Sequence, residues 1–418
     1  MKNAVLKLGG TATLLWLTAV SCWGVDGQPW VQGHFHGRLA YSCDGNHNDP
    51  DDWIASPMTV AVLAEAGLRD RLVHFDYNSI LNETNPEWEK THAESVLGAA
   101  ERYGFDKSRF YDCRKELEMT VANIARAVDE SSADNPLYFI IAGPVEVPYL
   151  GIQKSDPAKR PFVYCISHSR WNDGFASGYK FRFTKRSVIE QNVHWVQIGD
   201  QNRLLSTSPY GRTPRQAEWS PYYWMRDSRD SRVAWLWDRM QVSTRPDPSD
   251  AGMTWFLVTG DEECDPQKLK RLLEEHQPPT PVVARKHVRL EAENFRYLEG
   301  FLLEDRKDKN ASHQLNVRLG ERVAHGRIRT RFDEPFTRAA APYDVVIRYL
   351  DEKGLSCRYT FFVEGVARGD TWASAGDGSG WKSHTIEGVE IAAGGEIWVD
   401  ADGAAGRLDY VQVNFVQP

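Results

Sequence analysis

The chain has 418 residues, of which 41% are hydrophobic, and a formal net charge of −8. That length exceeds one ordinary domain, so two hydrophobic cores are expected. The acidic balance gives no basis for nucleic-acid binding, and fifteen tryptophans suit either large cores or sugar-stacking surfaces.

Residues 1–24 read as an export signal, with Lys2 and Lys7 ahead of an apolar run through Leu14, Leu15, Trp16, Leu17, Ala19 and Val20. The run is too short to span a bilayer. Ala19-Val20-Ser21-Cys22 resembles a bacterial lipoprotein cleavage box, which would lipidate Cys22; plain cleavage and secretion is the other reading. Either places the protein outside the bacterial cytoplasm, with the membrane as a partner only through Cys22. The remaining cysteines are Cys43, Cys113, Cys165, Cys264 and Cys357, an odd number with no CxxC spacing, so neither a zinc site nor a disulfide framework is expected.

Residues 30–276 alternate strand and helix signals. Leu39 to Cys43 is an apolar strand that ends on Asp44, and a Gly/Asn/Pro-rich turn then carries Asn48, Asp49, Asp51 and Asp52. Like-charged carboxylates about 5 Å apart at an effective dielectric near 20 repel by ~3 kcal/mol per pair. A hard cation such as calcium or magnesium removes that cost, and oxygen ligands suit it. Asp44, Asn46 and Asn48 have EF-hand spacing, but that loop needs Gly at 49 and Glu at 55, where this chain has Asp49 and Ala55. The turn lies between a strand and a helix, where open α/β sheets bind ligands.

A helix follows, with Ser56-Pro57 as its start and Gly67 as its stop. Strands are expected at 71–75, ending on Asp76-Tyr77-Asn78, and at 137–142, 162–166 and 194–198. Helices are expected near 87–103, 116–129, 232–240, 251–258 and 267–275. Strands apolar along their whole length indicate a mostly parallel sheet covered by helices on both faces. Residues 277–286, with three prolines, read as a linker. From 287 to 418 the pattern becomes short alternating strands with Gly-rich turns, an all-β sandwich of jelly-roll type.

The acidic turn with Asp49-Pro50-Asp51-Asp52 resembles the calcium-binding signature of nucleoside hydrolases, and most of all that of their divergent secreted relatives. The resemblance implies a nucleoside-hydrolase-like α/β domain. Its metal ligands would be Asp51 and Asp52, one of Asp44, Asn48 and Asp49, and a carbonyl near Val145 or Glu146 after Gly143-Pro144. Asp250 would be the distal ligand, with a helix N-cap as its other reading. The family's late His is Ser249 here, so the metal and its water would be kept while nucleobase recognition would not. Asp44 or Asp51 would be the base, and His168, at a strand end, either the leaving-group acid or a surface loop histidine. Asn78, Glu146, Trp171, Asn172 and Asp200 are candidate substrate contacts.

Val288–Phe295, Pro342–Tyr349 and Leu408–Val413 resemble the opening, central and closing strands of a family 6 or family 35 carbohydrate-binding module. That likeness implies a second calcium on Glu291, Glu293 and Asp409 and a sugar-stacking role for Trp372, with Trp381 in the core. Together these readings give a secreted, calcium-dependent hydrolase of glycosidic or N-glycosidic bonds, carried to a poly- or oligosaccharide by its sandwich. The rival is a non-catalytic carbohydrate-binding protein with a degenerate first domain.

Overall fold

The computed structural model describes residues 28–47, 50–175, 181–282, 284–305, 308–338 and 340–416. The expected leader with Cys22, and the candidate ligands Asn48 and Asp49, lie outside the described residues.

Six strands form a parallel sheet: β1 (Arg38–Cys43), β2 (Leu72–Tyr77), β3 (Phe110–Asp112), β4 (Leu137–Ala142), β5 (Val163–Ser167) and β6 (His194–Gln197). Their order across the sheet is β3-β2-β1-β4-β5-β6. The chain therefore builds outward from β1 in one direction, then returns to its other side and builds the opposite way. The reversal falls between β1 and β4, and a crevice opens there at the carboxyl ends of the strands. Registers run from Arg38 opposite Leu137 to Cys43 opposite Ala142, so both strands stop at the same level. The three-residue β3 is too short for hydrophobic periodicity to reveal.

Every residue of β1 and β4 is buried, because helices cover both faces. Leu39, Tyr41 and Cys43 face a core shared with α1 (Asp52–Glu65), α2 (Pro86–Arg102), α5 (Ser231–Val242), α6 (Ala251–Thr259) and α7 (Pro266–Leu273). Ala40, Phe139 and Ile141 face the other side, packed with α3 (Cys113–Asp129) and α4 (Glu146–Lys154). Helix α1 begins at Asp52, four residues before the expected Ser56, because the Asp51 carboxylate caps the Asp52 N–H at 2.9 Å. Pro57 is then an interior residue, at the cost of one helical donor. No helix among the described residues is long and apolar enough to cross a membrane, and all five described cysteines are free and buried.

The second half is an antiparallel sandwich. Its strands are β7 (His287–Glu291), β8 (Tyr297–Glu299), β9 (Phe301–Asp305), β10 (Leu315–Leu319), β11 (His325–Phe332), β12 (Ala340–Asp351), β13 (Cys357–Val363), β14 (Val366–Ala373), β15 (Gly380–Ala392), β16 (Gly395–Gly403) and β17 (Arg407–Phe415). One sheet runs β8-β11-β16-β13-β14 and the other β9-β10-β17-β12-β15, with β7 also paired to β17. Strict alternation of buried and outward residues along β11 and β12 closes a core between the two sheets.

The expected linker does not separate two independent bodies. Arg285 is buried, its N–H donates to the Phe336 carbonyl at 2.7 Å, and Val282 N–H donates to Thr259 O at 2.8 Å. Phe336, a sandwich residue, belongs to the core of the α/β domain and packs edge-on against Phe256. Arg186 donates to the carbonyls of Glu293, Phe295 and Arg296, and Arg170 donates to Gln314 Oε1 at 3.1 Å.

Candidate functional site

A cleft of about 150 Å³ sits at the reversal between β1 and β4, lined by Asp44, Asp51, His168, Trp171, Asn172 and Asp250 together with Tyr210, Arg245, Asp247 and Ser249. Residues expected from three separate segments of the sequence thus meet at one place. Asp44 is held against the turn after β4, where Gly143 is required for close approach. A Cβ there would lie 2.9 Å from both Asp44 N and Asp44 Oδ1. From below, Asn78 adopts a left-handed backbone (φ 61°) and donates its N–H to the Asp44 carbonyl at 3.1 Å.

Asp250 stands at the N-cap of α6, yet its side chain makes no capping bond. It accepts instead from His168 Nε2 at 2.6 Å and from Asn172 Nδ2 at 3.3 Å. Asp250 thus occupies the N-cap position, as its other reading had it, while its carboxylate serves partners within the cleft and not the helix end. Burial alone would lower the His168 pKa, but the bonds to Asp200 and Asp250 outweigh it and raise the group to about 9. In the neutral ring Nδ1 accepts the Gln201 N–H at 3.3 Å; in the protonated ring Nδ1–H faces Asp200 Oδ1 at 3.6 Å instead. Asp200, exposed at the rim, is lowered to about 2, first by its bond to His168.

Asp52 is turned inward, with Oδ2 accepting the Asp44 N–H at 3.1 Å. Among the described residues, the one group of three whose ligand atoms all lie within 4.8 Å of one another is Cys43, Asp52 and His92, beneath the cleft. There burial raises the Cys43 thiol well above its ordinary value and lowers His92 to about 3, so both are neutral. Cys43 Sγ lies 3.2 Å from Ser56 Oγ, and His92 Nδ1 lies 3.1 Å from Asn78 Oδ1. Those contacts make the group a support for the cleft floor.

Three expected contacts lie away from the cleft. Asn78 is buried, its amide taken up by His92 and the Glu89 carbonyl. The Val145 carbonyl accepts the Tyr149 N–H at 2.8 Å at the start of α4. Glu146 pairs with Arg182 at 2.7 Å. Sequence reasoning missed Tyr210, Arg245 and Asp247. Arg245 lies over the Tyr210 ring and pairs with Asp247 at 3.0 Å. Burial raises Asp247, even against the hydroxyl of Ser206 and the charge of Arg245. The run Arg245-Pro-Asp-Pro-Ser-Asp250, rich in turn formers and acids, was the signal available.

In the sandwich, Trp372 is buried, stacked between Tyr359 and His384 with centroids 5.6 and 4.2 Å away. Both faces are covered, so it is not a sugar platform. The reverse holds for Trp381, expected in the core: it is half-buried, donates Nε1–H to Asp308 at 2.6 Å and lies beneath Arg348. Both indoles flank Gly-rich turns, and nothing local in the sequence tells which way each points. Glu291, Glu293 and Asp409 are gathered and buried as expected, but Lys185 from the α/β domain enters among them.

No family model matches the chain. It is 29% identical over 243 residues to the uncharacterized protein P22 of Formosa agariphila, covering 54% of this chain and 84% of that protein. Among solved structures, a family 35 carbohydrate-binding module of Clostridium thermocellum matches 32% of this chain and 100% of its own length, at 17% identity and a TM-score of 0.26. The corresponding module of Paenibacillus barcinonensis matches 31% of this chain and 99% of its own length, at 18% identity and a TM-score of 0.26. The GH26-CBM35 β-(1,4)-mannanase of Podospora anserina is similar over 32% of this chain at 19% identity and a TM-score of 0.27; only 29% of that enzyme is spanned.

Proposed function

We propose that the α/β domain hydrolyses a glycosidic or N-glycosidic bond of a carbohydrate held in part by the sandwich. The observation that carries this reading is the His168–Asp250 pair at 2.6 Å, in one cleft with Asp44 and Asp51 at the sheet's reversal point.

The donors suit a hard cation, since Asp44, Asp51 and Asp250 offer oxygen only, and a side chain at Gly143 would collide with Asp44 Oδ1. These residues would hold calcium, whose bound charge orients a water and the sugar hydroxyls. Asp44 or Asp51 takes the water's proton. His168, protonated through neutral pH, gives a proton to the departing group from the Nδ1 side, which faces the rim at Asp200. Asp250 fixes the ring through Nε2. Attack at the anomeric carbon builds positive charge, which the acidic walls stabilise. Trp171 and Tyr210 offer ring faces at the cleft for a sugar to pack on. For the sandwich, its double-sheet form and the strand motifs described above support carbohydrate binding, with Trp381 as the outward-facing indole.

A non-catalytic sugar-binding role is the second reading, favoured by one observation: the His168 side chain is 1% exposed. The deciding experiment screens the full chain against a glycan panel and a nucleoside panel, with and without a chelator. Chelator-sensitive glycan cleavage lost in Asp51→Ala supports the hydrolase. Release of free base alone reassigns the substrate, and glycan binding without turnover selects the second reading.

A further inference from the structure

The pocket formed by Glu291, Glu293 and Asp409 already contains a cation from the other domain. Lys185 opens a short helix (Lys185–Ile189) of the α/β domain and is fully buried. Its Nζ lies 3.0 Å from Glu293 Oε1 and 3.4 Å from Asp173 Oδ2, so one ammonium bridges a carboxylate of each domain. The neighbouring acids have donors of their own. Ser312 Oγ donates to Glu291 Oε1 at 3.0 Å, Ser312 N–H to Asp409 Oδ1 at 2.9 Å, and Arg348 to Asp409 Oδ2 at 2.6 Å. Among the described residues, these three acids do not present ligand atoms all within 4.8 Å of one another. Calcium requires six to eight oxygens at about 2.3–2.6 Å, and here a tethered ammonium with its hydrogen bonds holds that space.

We infer that Lys185 is the resident cation of this pocket, taking the place of a calcium ion, and that it pins the sandwich to the α/β domain. The placement of charges agrees: the buried carboxylates of Glu293 and Asp173 flank the ammonium, and Arg348 sits on Asp409. Two buried oxygens, Glu291 Oε2 and Glu293 Oε2, have no hydrogen-bond partner among the described residues. They are what the pocket would offer a metal if the lysine were withdrawn. Arg186, the next residue, donates to three sandwich carbonyls, so the same segment supplies both the ion pair and a hydrogen-bonded seam.

The test uses the full chain in four forms: wild type, Glu293→Gln, Lys185→Met and the double variant. Calcium stoichiometry is read by calorimetry, and Tm with calcium or with chelator. Wild type and Glu293→Gln are expected to bind equal numbers of calcium ions, whatever the cleft binds. Lys185→Met should bind one more, and the double variant should lose that extra ion. Without calcium, Lys185→Met should melt on the order of 10 °C lower, because a buried carboxylate is left unpaired, and calcium should restore part of the loss. A calcium ion lost from wild type on Glu293→Gln substitution would overturn the inference, as would an unchanged Tm in Lys185→Met. If Lys185→Met does not fold, the wild-type and Glu293→Gln stoichiometries still decide it.

Discussion

His168 and Asp250 are 82 residues apart in sequence, and their side chains meet at 2.6 Å across the cleft. The pair joins the end of β5 to the start of α6 and, together with Asp200, raises the pKa of the imidazole in the cleft.

That pairing fixes the pH dependence. The folded His168 pKa is about 9, above the ordinary 6.5, so the acid form persists through neutrality and is lost near pH 9. Hydrolysis should fall on the alkaline side as that proton is lost, below pH 9 once calcium shares Asp250, and Asp200→Asn should move the limb further toward neutrality. The same shift stabilises the fold fully below pH 6.5, and this contribution fades as pH rises through 9. Rate profiles and Tm against pH check both.

Replacing His168 by Gln should lower kcat by about 10²–10⁴ for substrates with poor leaving groups and far less for activated ones. Aryl glycosides of graded leaving-group pKa supply the measurement. An equal loss across the series would show that His168 does not act as the acid.

Gly143→Ala should destabilise by about 1–3 kcal/mol, since its Cβ would meet Asp44 N and Oδ1 at 2.9 Å. It should also weaken calcium binding by shifting the Asp44 carboxylate. Denaturant melts and calcium titration separate the two effects.

The two sandwich indoles should respond in opposite ways. Trp372→Ala removes a buried ring stacked between Tyr359 and His384 and should cost about 3–5 kcal/mol. Trp381→Ala should leave Tm nearly unchanged and weaken glycan retention in affinity electrophoresis. Intact retention in that variant would mean that sugars bind elsewhere on the sandwich.

Phe336→Ala should destabilise both halves together, because the ring lies in the core of the α/β domain while its backbone belongs to the sandwich. Calorimetry should show one cooperative transition for the full chain, and proteases should not cut preferentially within 277–286. Two separated transitions would count against it.

The parallel sheet was legible because β4 is apolar throughout and β1 and β5 nearly so, and such runs belong where both faces are covered. Asp44, Asp51, His168, Trp171, Asn172 and Asp250 were legible as strand-end or helix-start residues of unusual polarity. The start of α1 was misplaced because Ser56-Pro57 looks like an N-terminus while the true cap is one of the acids assigned to the metal. Trp372 and Trp381 were exchanged because burial in a sandwich depends on neighbours across strands and between sheets, such as Tyr359 and His384 for Trp372. The role of Lys185 could not be anticipated: Glu293, its partner in the other domain, lies 108 residues later.

The contact between Arg170 and Gln314 has a consequence for how a polymer would be processed. Arg170 is two residues past His168, and Gln314 belongs to a sandwich loop, so that loop is tied to the segment that carries His168. A glycan lying along the sandwich would reach His168 at a set distance from where it is gripped, with no swing of a tether between them. Cleavage should then occur at a regular interval along the chain, like a ruler, and the products should cluster at a few lengths instead of spreading over all of them.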